Sequence, residues 1–285
     1  MSLAGLISVA KGETPPDLLL ADARIVNVFT GEIERGNVAI YGERIAGVGD
    51  YRQGNRILDL EGKYLAPGLI NGHTHVESSM LDLTQYARAV VPRGTTAAVT
   101  DLHEIANVCG LEGMRYMMGC ARKLPLDLFF MAPSCVPATS LETSGAHLGP
   151  DEIKAALRWK KVIGLGEVMN FPGVINGDDE VLSKALVSEG RVIDGHAPGL
   201  GGMELNAYLA AGILSDHEST ALEEGREKLR RGMHLMVREG SSEKNLDALL
   251  PLVTDKTYKR CLFVVDDRSC LDLLREGDID AVVRK

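Results

Sequence analysis

From Tyr64 onward the chain repeats one rhythm: a short apolar run, a polar or glycine-bearing loop, then a stretch with helical spacing. The apolar runs are Leu65–Ile70, Thr95–Thr100, Leu126–Ala132, Val162–Val168, Arg191–Gly195, Gly212–Ser215, His234–Val237 and Leu262–Val265. Between them lie helical patterns at Asp82–Val91, Leu111–Lys123, Pro150–Trp159, Asp178–Glu189, Met203–Ala211, Thr220–Arg231 and Glu243–Val253. A helix between two strands carries the chain back to its starting edge, so the strands pair in parallel. Eight such units predict an α/β chain folded as a (β/α)8, TIM-like barrel. The alternative, an open doubly wound sheet, lacks a Gly-x-Gly-x-x-Gly turn after an early strand.

Residues 1–64 follow other rules. Asp17–Val28, Gly36–Val48 and Arg56–Leu60 read as short strands around polar turns, with a hairpin at Gly42-Glu43. They predict a small antiparallel β subdomain with little helical periodicity. The expected domains are therefore 1–64 and 65–285.

A (β/α)8 barrel builds its active site at the carboxyl ends of its strands. His73 and His75 follow the first strand, and residues two apart in extended chain share a face, so two imidazoles aim at one point. Asp101 and His103 follow the second strand, Glu167 the fourth, His196 the fifth, His217 the sixth and Asp266-Asp267 the eighth. Of the seven histidines only His147 and His234 lie elsewhere. Mixed imidazole and carboxylate ligands suit Zn²⁺, Mn²⁺ or Fe²⁺. A carboxylate can hold one ion on each oxygen. Glu167 is thus a candidate bridge, with His73, His75 and a strand-eight Asp on one ion and His196 and His217 on the other. Asp266 is preferred over Asp267 because it directly follows the strand.

The net charge of −9 and the scattered basic residues argue against a nucleic-acid or anionic-membrane surface. No apolar run is long enough to span a bilayer or serve as a signal peptide, and the five cysteines are odd in number and lack Cys-x-x-Cys spacing. A cytoplasmic protein with reduced thiols is expected.

The blocks Pro67-Gly-Leu-Ile-Asn-Gly-His-Thr-His-Val-Glu-Ser-Ser-Met80, Asp101-Leu-His-Glu-Ile-Ala-Asn-Val108, Ala132-Pro-Ser-Cys-Val-Pro137, Gly166-Glu-Val-Met-Asn170, Asp194-Gly-His-Ala-Pro-Gly199, Ser215-Asp-His-Glu218 and Asp266-Asp-Arg268 run through most of the chain. Together they resemble the amidohydrolase superfamily, and within it the adenine deaminase family of bacteria and archaea. Glu167 stands where dihydroorotases and hydantoinases carry a carboxylated lysine. The resemblance implies hydrolysis of adenine to hypoxanthine and ammonia, by attack of a metal-held hydroxide at purine C6, with two Mn²⁺ or Fe²⁺ ions. It implies metal ligands at His73, His75, Glu167, His196, His217 and Asp266. The chemistry needs proton transfer to ring N1 and to the leaving amine. His103 and Asp101 are candidates for that, and Asp266 for taking the proton of the attacking water. Glu77 or Glu104 would hydrogen-bond ring nitrogens or support the metal ligands from behind.

Ordinary readings stand beside these. Asp101 could cap a helix, Glu77 could sit as an acid at a helix start, and Arg238 and Arg268 could pair with nearby acids. Two features depart from the family: Leu102 replaces the usual Pro, and typical members are much longer. The barrel is expected to be cut in the helix after strand eight, leaving apolar surface on strands one and eight and favouring a homo-oligomer. Another cyclic amidohydrolase and a non-catalytic fragment are the competing functions.

Overall fold

The computed structural model describes residues 2–285. The chain divides into two compact units, one running to Gly68 and the other beginning at Leu69.

The first unit opens with a helix that the periodicity did not predict, Leu3–Ala10. Ser2 caps it by accepting from the Gly5 amide at 3.1 Å. Five strands follow: β1 (Leu18–Val26), β2 (Ile33–Tyr41), β3 (Arg44–Gly49), β4 (Ile57–Asp59) and β5 (Tyr64–Leu65). The β1–β2–β3 meander is antiparallel, and its hairpin turns at Gly42, whose φ of 59° suits a residue without Cβ. The expectation of an antiparallel unit needs correction, because β4 and β5 pair with β1 in parallel. One edge of β1 is taken by β2, so the returning chain finds only the other edge, running in the direction of β1.

The second unit is the barrel: β6 (Leu69–His75), β7 (Thr95–Asp101), β8 (Asp127–Ala132), β9 (Val162–Val168), β10 (Val192–Gly195), β11 (Ser215–Asp216), β12 (His234–Arg238), β13 (Cys261–Val264) and β14 (Asp266–Asp267). Every pairing among these strands is parallel. One hydrogen-bonded sheet runs β10-β9-β8-β7-β6-β14 and the other β11-β12-β13. The eighth strand is thus split in two. β13 pairs with β12, the chain turns at Val265, and β14 pairs with β6 and so links both sheets. Between β10 and β11, side chains replace the ladder: Ser215 Oγ accepts from the Gly195 amide at 3.3 Å and donates to Asp194 Oδ1 at 2.5 Å. A Cβ on Gly195 would lie 2.2 Å from the Ser215 carbonyl oxygen, so this seam requires glycine.

Two strand boundaries differ from expectation. The first barrel strand is Leu69–His75, not Leu65–Ile70, and Leu65 belongs to β5. Pairing with β7 extends to Thr74↔Thr100, and β14 takes the other edge at Thr74 and His75. His73 and His75 are therefore strand residues, more rigid than the expected loop. The sixth strand shrinks to Ser215–Asp216, because Gly212 turns with φ 86°.

Helices cover the outside of the barrel. Leu128, Phe130 and Ala132 of β8 point alike into a core with Tyr86, Val90, Met114, Ile153 and Ala156. Helix Leu83–Val90 is capped by Asp82, which accepts from the Thr84 and Gln85 amides at 2.7 and 3.1 Å. The helix after β7 starts at His103, not Leu111, and runs to Cys120 through a kink at Gly110 with φ 57°. No helix among the described residues is long and apolar enough to cross a membrane.

After β14 come helices Cys270–Arg275 and Ile279–Arg284. Ile279 and Val282 join Leu235, Val237, Leu246, Leu249 and Val265 in a second core cluster, with Leu69 and Phe263 packed against it. The expected bare surface on strands one and eight is found only in part: this last helix packs over β6 and β13, while Ile70 of β6 stays 63% exposed. Asp278 anchors its start, accepting from Asn71 Nδ2 (3.2 Å), Tyr86 OH (3.3 Å) and Thr95 Oγ1 (3.1 Å). Asp278→Ala leaves these three donors buried without an acceptor. It is expected to cost about 2–4 kcal/mol in urea-induced unfolding; a loss under ~1 kcal/mol would contradict this account of the anchor.

Candidate metal centre

His73 and His75 lie on the inward face of β6, and each has its outer nitrogen fixed by another strand. His73 Nδ1 donates to Asp194 Oδ2 of β10 at 2.9 Å, and His75 Nδ1 donates to the Asp101 carbonyl of β7 at 3.1 Å. Both Nε2 atoms are thereby left with a free lone pair facing the barrel axis. That is how imidazoles are set for a cation. His73 Nε2 is buried and has no hydrogen-bond partner. The rings of His73 and His217 stack at 4.2 Å.

Glu167, at the end of β9, is the hub. Its Oε1 lies 3.1 Å from His75 Nε2, and its Oε2 lies 2.5 Å from His196 Nδ1 and 3.2 Å from His217 Nε2. Its main chain is clamped on both sides. The Glu167 amide donates to Asp101 Oδ2 at 3.0 Å, and Ser134 Oγ donates to the Glu167 carbonyl at 2.5 Å. Gly166 makes room for this clamp, since a Cβ there would lie 2.1 Å from Asp101 Oδ2. Asp266 completes the ring, with Oδ1 at 3.5 Å from His75 Nε2 and 3.7 Å from His73 Nε2. It sits at φ 65°, a left-handed conformation that Asp tolerates better than most residues, held by Thr74 Oγ1 donating to its carbonyl at 2.9 Å.

The groups sort into overlapping sets whose ligating atoms lie within 4.8 Å of one another: His73, His75 and Asp266; Glu167, His196 and His217; and His75, His103 and Glu167. The first two are the halves expected for two ions, with Glu167 reaching toward both. Asp266 belongs to one of these sets and Asp267 to none. The donor set fits divalent cations: imidazole nitrogens with free lone pairs, ionised carboxylates and an orphaned buried nitrogen.

Charge follows the same pattern. Burial alone would raise the Glu167 carboxyl, but the imidazoles of His196, His217 and His75 beside it outweigh that and hold it well below the usual range. Burial would lower His217, yet Glu167 beside it pushes it up to about 9. His103 is drawn down to about 3, first by burial and then by His75. A His103 kept neutral presents Nδ1 at 3.5 Å from Glu167 Oε1 and 3.9 Å from Asp101 Oδ2.

The remaining expected residues gather nearby. Asp101 does not cap the following helix, which has Leu102 at that position and no side-chain cap. Burial raises its carboxyl well above the ordinary value. Glu77 lies in the 3-10 turn Val76–Ser79, with Oε1 at 3.5 Å from the Ile105 amide and Oε2 buried without a partner. Burial, then Glu104, lifts it to about 7. Glu104 lies 3.6 Å from His103 and 3.8 Å from His75.

Several residues of the site were not foreseen. Asp194 precedes His196 on β10, but nothing in its spacing reveals that it orients His73 from across the barrel. Lys228 is fully buried and donates to the Ala197 carbonyl (2.7 Å), Asp216 Oδ2 (2.8 Å) and Glu224 Oε1 (2.8 Å). It braces the residues next to His196 and His217. The sequence shows it only as part of the basic run Lys228-Leu229-Arg230-Arg231, which reads as a solvated helix face. A groove lined by Arg115, Leu126, Asp127 and Trp159 lies at the opposite, amino-terminal ends of β8 and β9 and takes no part in the centre.

A parallel barrel that collects imidazoles and carboxylates at the carboxyl ends of six strands has the donor set of a metal-binding barrel. Residues 64–281 match the Amidohydrolase family, and the chain belongs to that family. Adenine deaminase of Dehalococcoides mccartyi is 64% identical over 284 residues, covering 100% of this chain and 50% of the relative. Adenine deaminase of Kosmotoga olearia is 51% identical over 287 residues, covering 100% and 50%. The chain thus spans about half the length of the curated relatives it matches. Among solved structures, a mutant of atrazine chlorohydrolase from Arthrobacter aurescens, complexed with zinc and atraton, superposes with a TM-score of 0.62. It shares 14% identity, with 87% of this chain and 72% of that one covered, a likeness of fold.

Proposed function

We propose that this chain carries the two-cation centre of an enzyme that hydrolyses adenine to hypoxanthine and ammonia. The observation that carries the reading is Glu167, one carboxylate oxygen beside His75 and the other beside His196 and His217. The identity to proteins named adenine deaminase supports the choice of substrate. His73, His75 and Asp266 would hold one ion, His196 and His217 the other, and Glu167 both. The mixed nitrogen and oxygen donors suit Mn²⁺ or Fe²⁺, with Zn²⁺ also compatible. Such ions, when bound, supply Lewis acidity and make water a nucleophile near neutral pH.

The chain's own groups have these parts. Asp266 Oδ1 faces the centre and would accept the proton of the attacking water. Asp101 and His103 lie together at the end of β7, where they would pass protons to ring N1 and the departing amine. Glu77, lifted to about 7 by burial, and Glu104, also raised by burial, would hydrogen-bond ring nitrogens. Strand ends hold Asp101 and Asp266, and the turn and helix that follow strands hold Glu77, His103 and Glu104, so these groups stand in place before substrate arrives, the pre-organisation on which electrostatic stabilisation of a transition state depends.

The test is ammonia release from adenine by protein loaded with Mn²⁺, against the same protein treated with a chelator. Loss on chelation and recovery on adding Mn²⁺ back is the expected outcome. Ring opening of dihydroorotate or a hydantoin, without ammonia from adenine, would assign the centre to cyclic amide hydrolysis instead.

A further inference from the structure

Arg238, at the end of β12, has no part in the scheme above, yet it is buried among its acids. Its guanidinium grips Glu218 with both arms, Nη1 to Oε1 at 2.6 Å and Nη2 to Oε2 at 2.8 Å, and Nη1 also donates to Asp266 Oδ2. Glu218 directly follows His217. Its Oε1 lies 3.4 Å from His196 Nδ1 and 3.5 Å from His217 Nε2. His217, Glu218 and Asp266 offer ligating atoms within 4.8 Å of one another. A further carboxylate therefore stands at ligating distance from the imidazoles that would hold a cation. Both of its oxygens, and the outer oxygen of Asp266, are taken by one planar fork.

We propose that Arg238 is a positioning residue that withholds Glu218 from the cations and confines Asp266 to one ligating oxygen, Oδ1, so that a coordination position stays open. The inference rests on the two-cation reading. Catalytic metal sites work because protein ligands leave a position for water or substrate, whereas a closed ligand set makes the site structural. Carboxylates this close would close the set unless something of opposite charge and matching shape occupied them. A guanidinium does this with a two-pronged geometry that the point charge of lysine cannot reproduce.

The test uses protein stripped by a chelator and reloaded with Co²⁺ alone, read by its visible absorption and by competition with a chelator. In Arg238→Met the freed carboxylates become ligands. Co²⁺ is then held at least as tightly as before, the visible band per bound ion weakens as the coordination number rises, and the deamination rate falls roughly tenfold or more. Adding Glu218→Gln to Arg238→Met removes one of the two freed carboxylates and restores the band in part, the remainder reporting the freed Asp266 Oδ2. A residue that merely held the fold together would lose Co²⁺ and thermal stability together, with the band per bound ion unchanged; that result overturns the proposal. Where Arg238→Met fails to fold, Arg238→Lys gives the same reading, and a Lys variant whose spectrum superimposes on that of the unsubstituted protein overturns it equally. Failure of the unsubstituted protein to bind Co²⁺ would instead remove the two-cation reading, and this proposal with it.

Discussion

Glu167→Gln is expected to empty the centre and to lower kcat/KM for adenine deamination by ~1000-fold or more, about 4 kcal/mol of transition-state stabilisation. The substitution keeps the shape of the side chain and replaces one oxygen with an amide nitrogen that has no lone pair to offer. It also removes the negative charge that faces His75, His196 and His217. The main-chain clamp from Asp101 and Ser134 does not involve the side chain, so the strand stays in place. Metal content by elemental analysis, set beside the rate, separates the two sides of the claim. A variant with two ions per chain and an undiminished rate would show that Glu167 bridges nothing.

Lys228→Met is expected to destabilise the barrel by about 3–5 kcal/mol, because it strips the partner from a buried carboxylate. Asp216 is fully buried and accepts from Lys228, from the Ala197 amide at 2.9 Å, and from the Ser219 amide and hydroxyl at 3.0 and 2.8 Å. Methionine offers an unbranched apolar stem of similar length, so the loss reports the charge and its hydrogen bonds, not a cavity. The Ala197 carbonyl also loses its donor, directly beside His196. Urea unfolding of the chelator-treated protein isolates this effect from cation binding. A change below ~1 kcal/mol would mean that Asp216 is satisfied without the lysine.

The two effects differ in kind. Glu167 lies where opposite sides of the barrel meet, and its change is felt by whatever binds there. Lys228 lies behind the strands, and its change is felt by the fold that aims them. Asp194 and Asp101 stand between the two. The Asp194 carboxylate orients His73, so its substitution would mix loss of stability with loss of ligand geometry, whereas Asp101 orients His75 through a main-chain carbonyl that substitution leaves in place and uses its carboxylate to hold the Glu167 amide.

The alternation of strands and helices was legible in the sequence because local side-chain period is a local property: apolar runs bounded by Gly, Asn and Asp, then 3.6-residue spacing. The inward histidines were legible for the same reason, since His-x-His in extended chain puts both rings on one face. Tertiary structure alone decided the rest. That His73 and His75 lie inside the strand depends on pairing with β7 and β14, the latter nearly two hundred residues away along the chain. The parallel return of β4 and β5 depends on which edge of β1 is free. Asp194 on His73, Arg238 on Glu218 and Asp266, and Lys228 on Asp216 join groups on different strands and helices, and no spacing along the chain encodes such meetings. A buried charge has the same letters as a solvated one. Only the packing around it says whether it must find a partner.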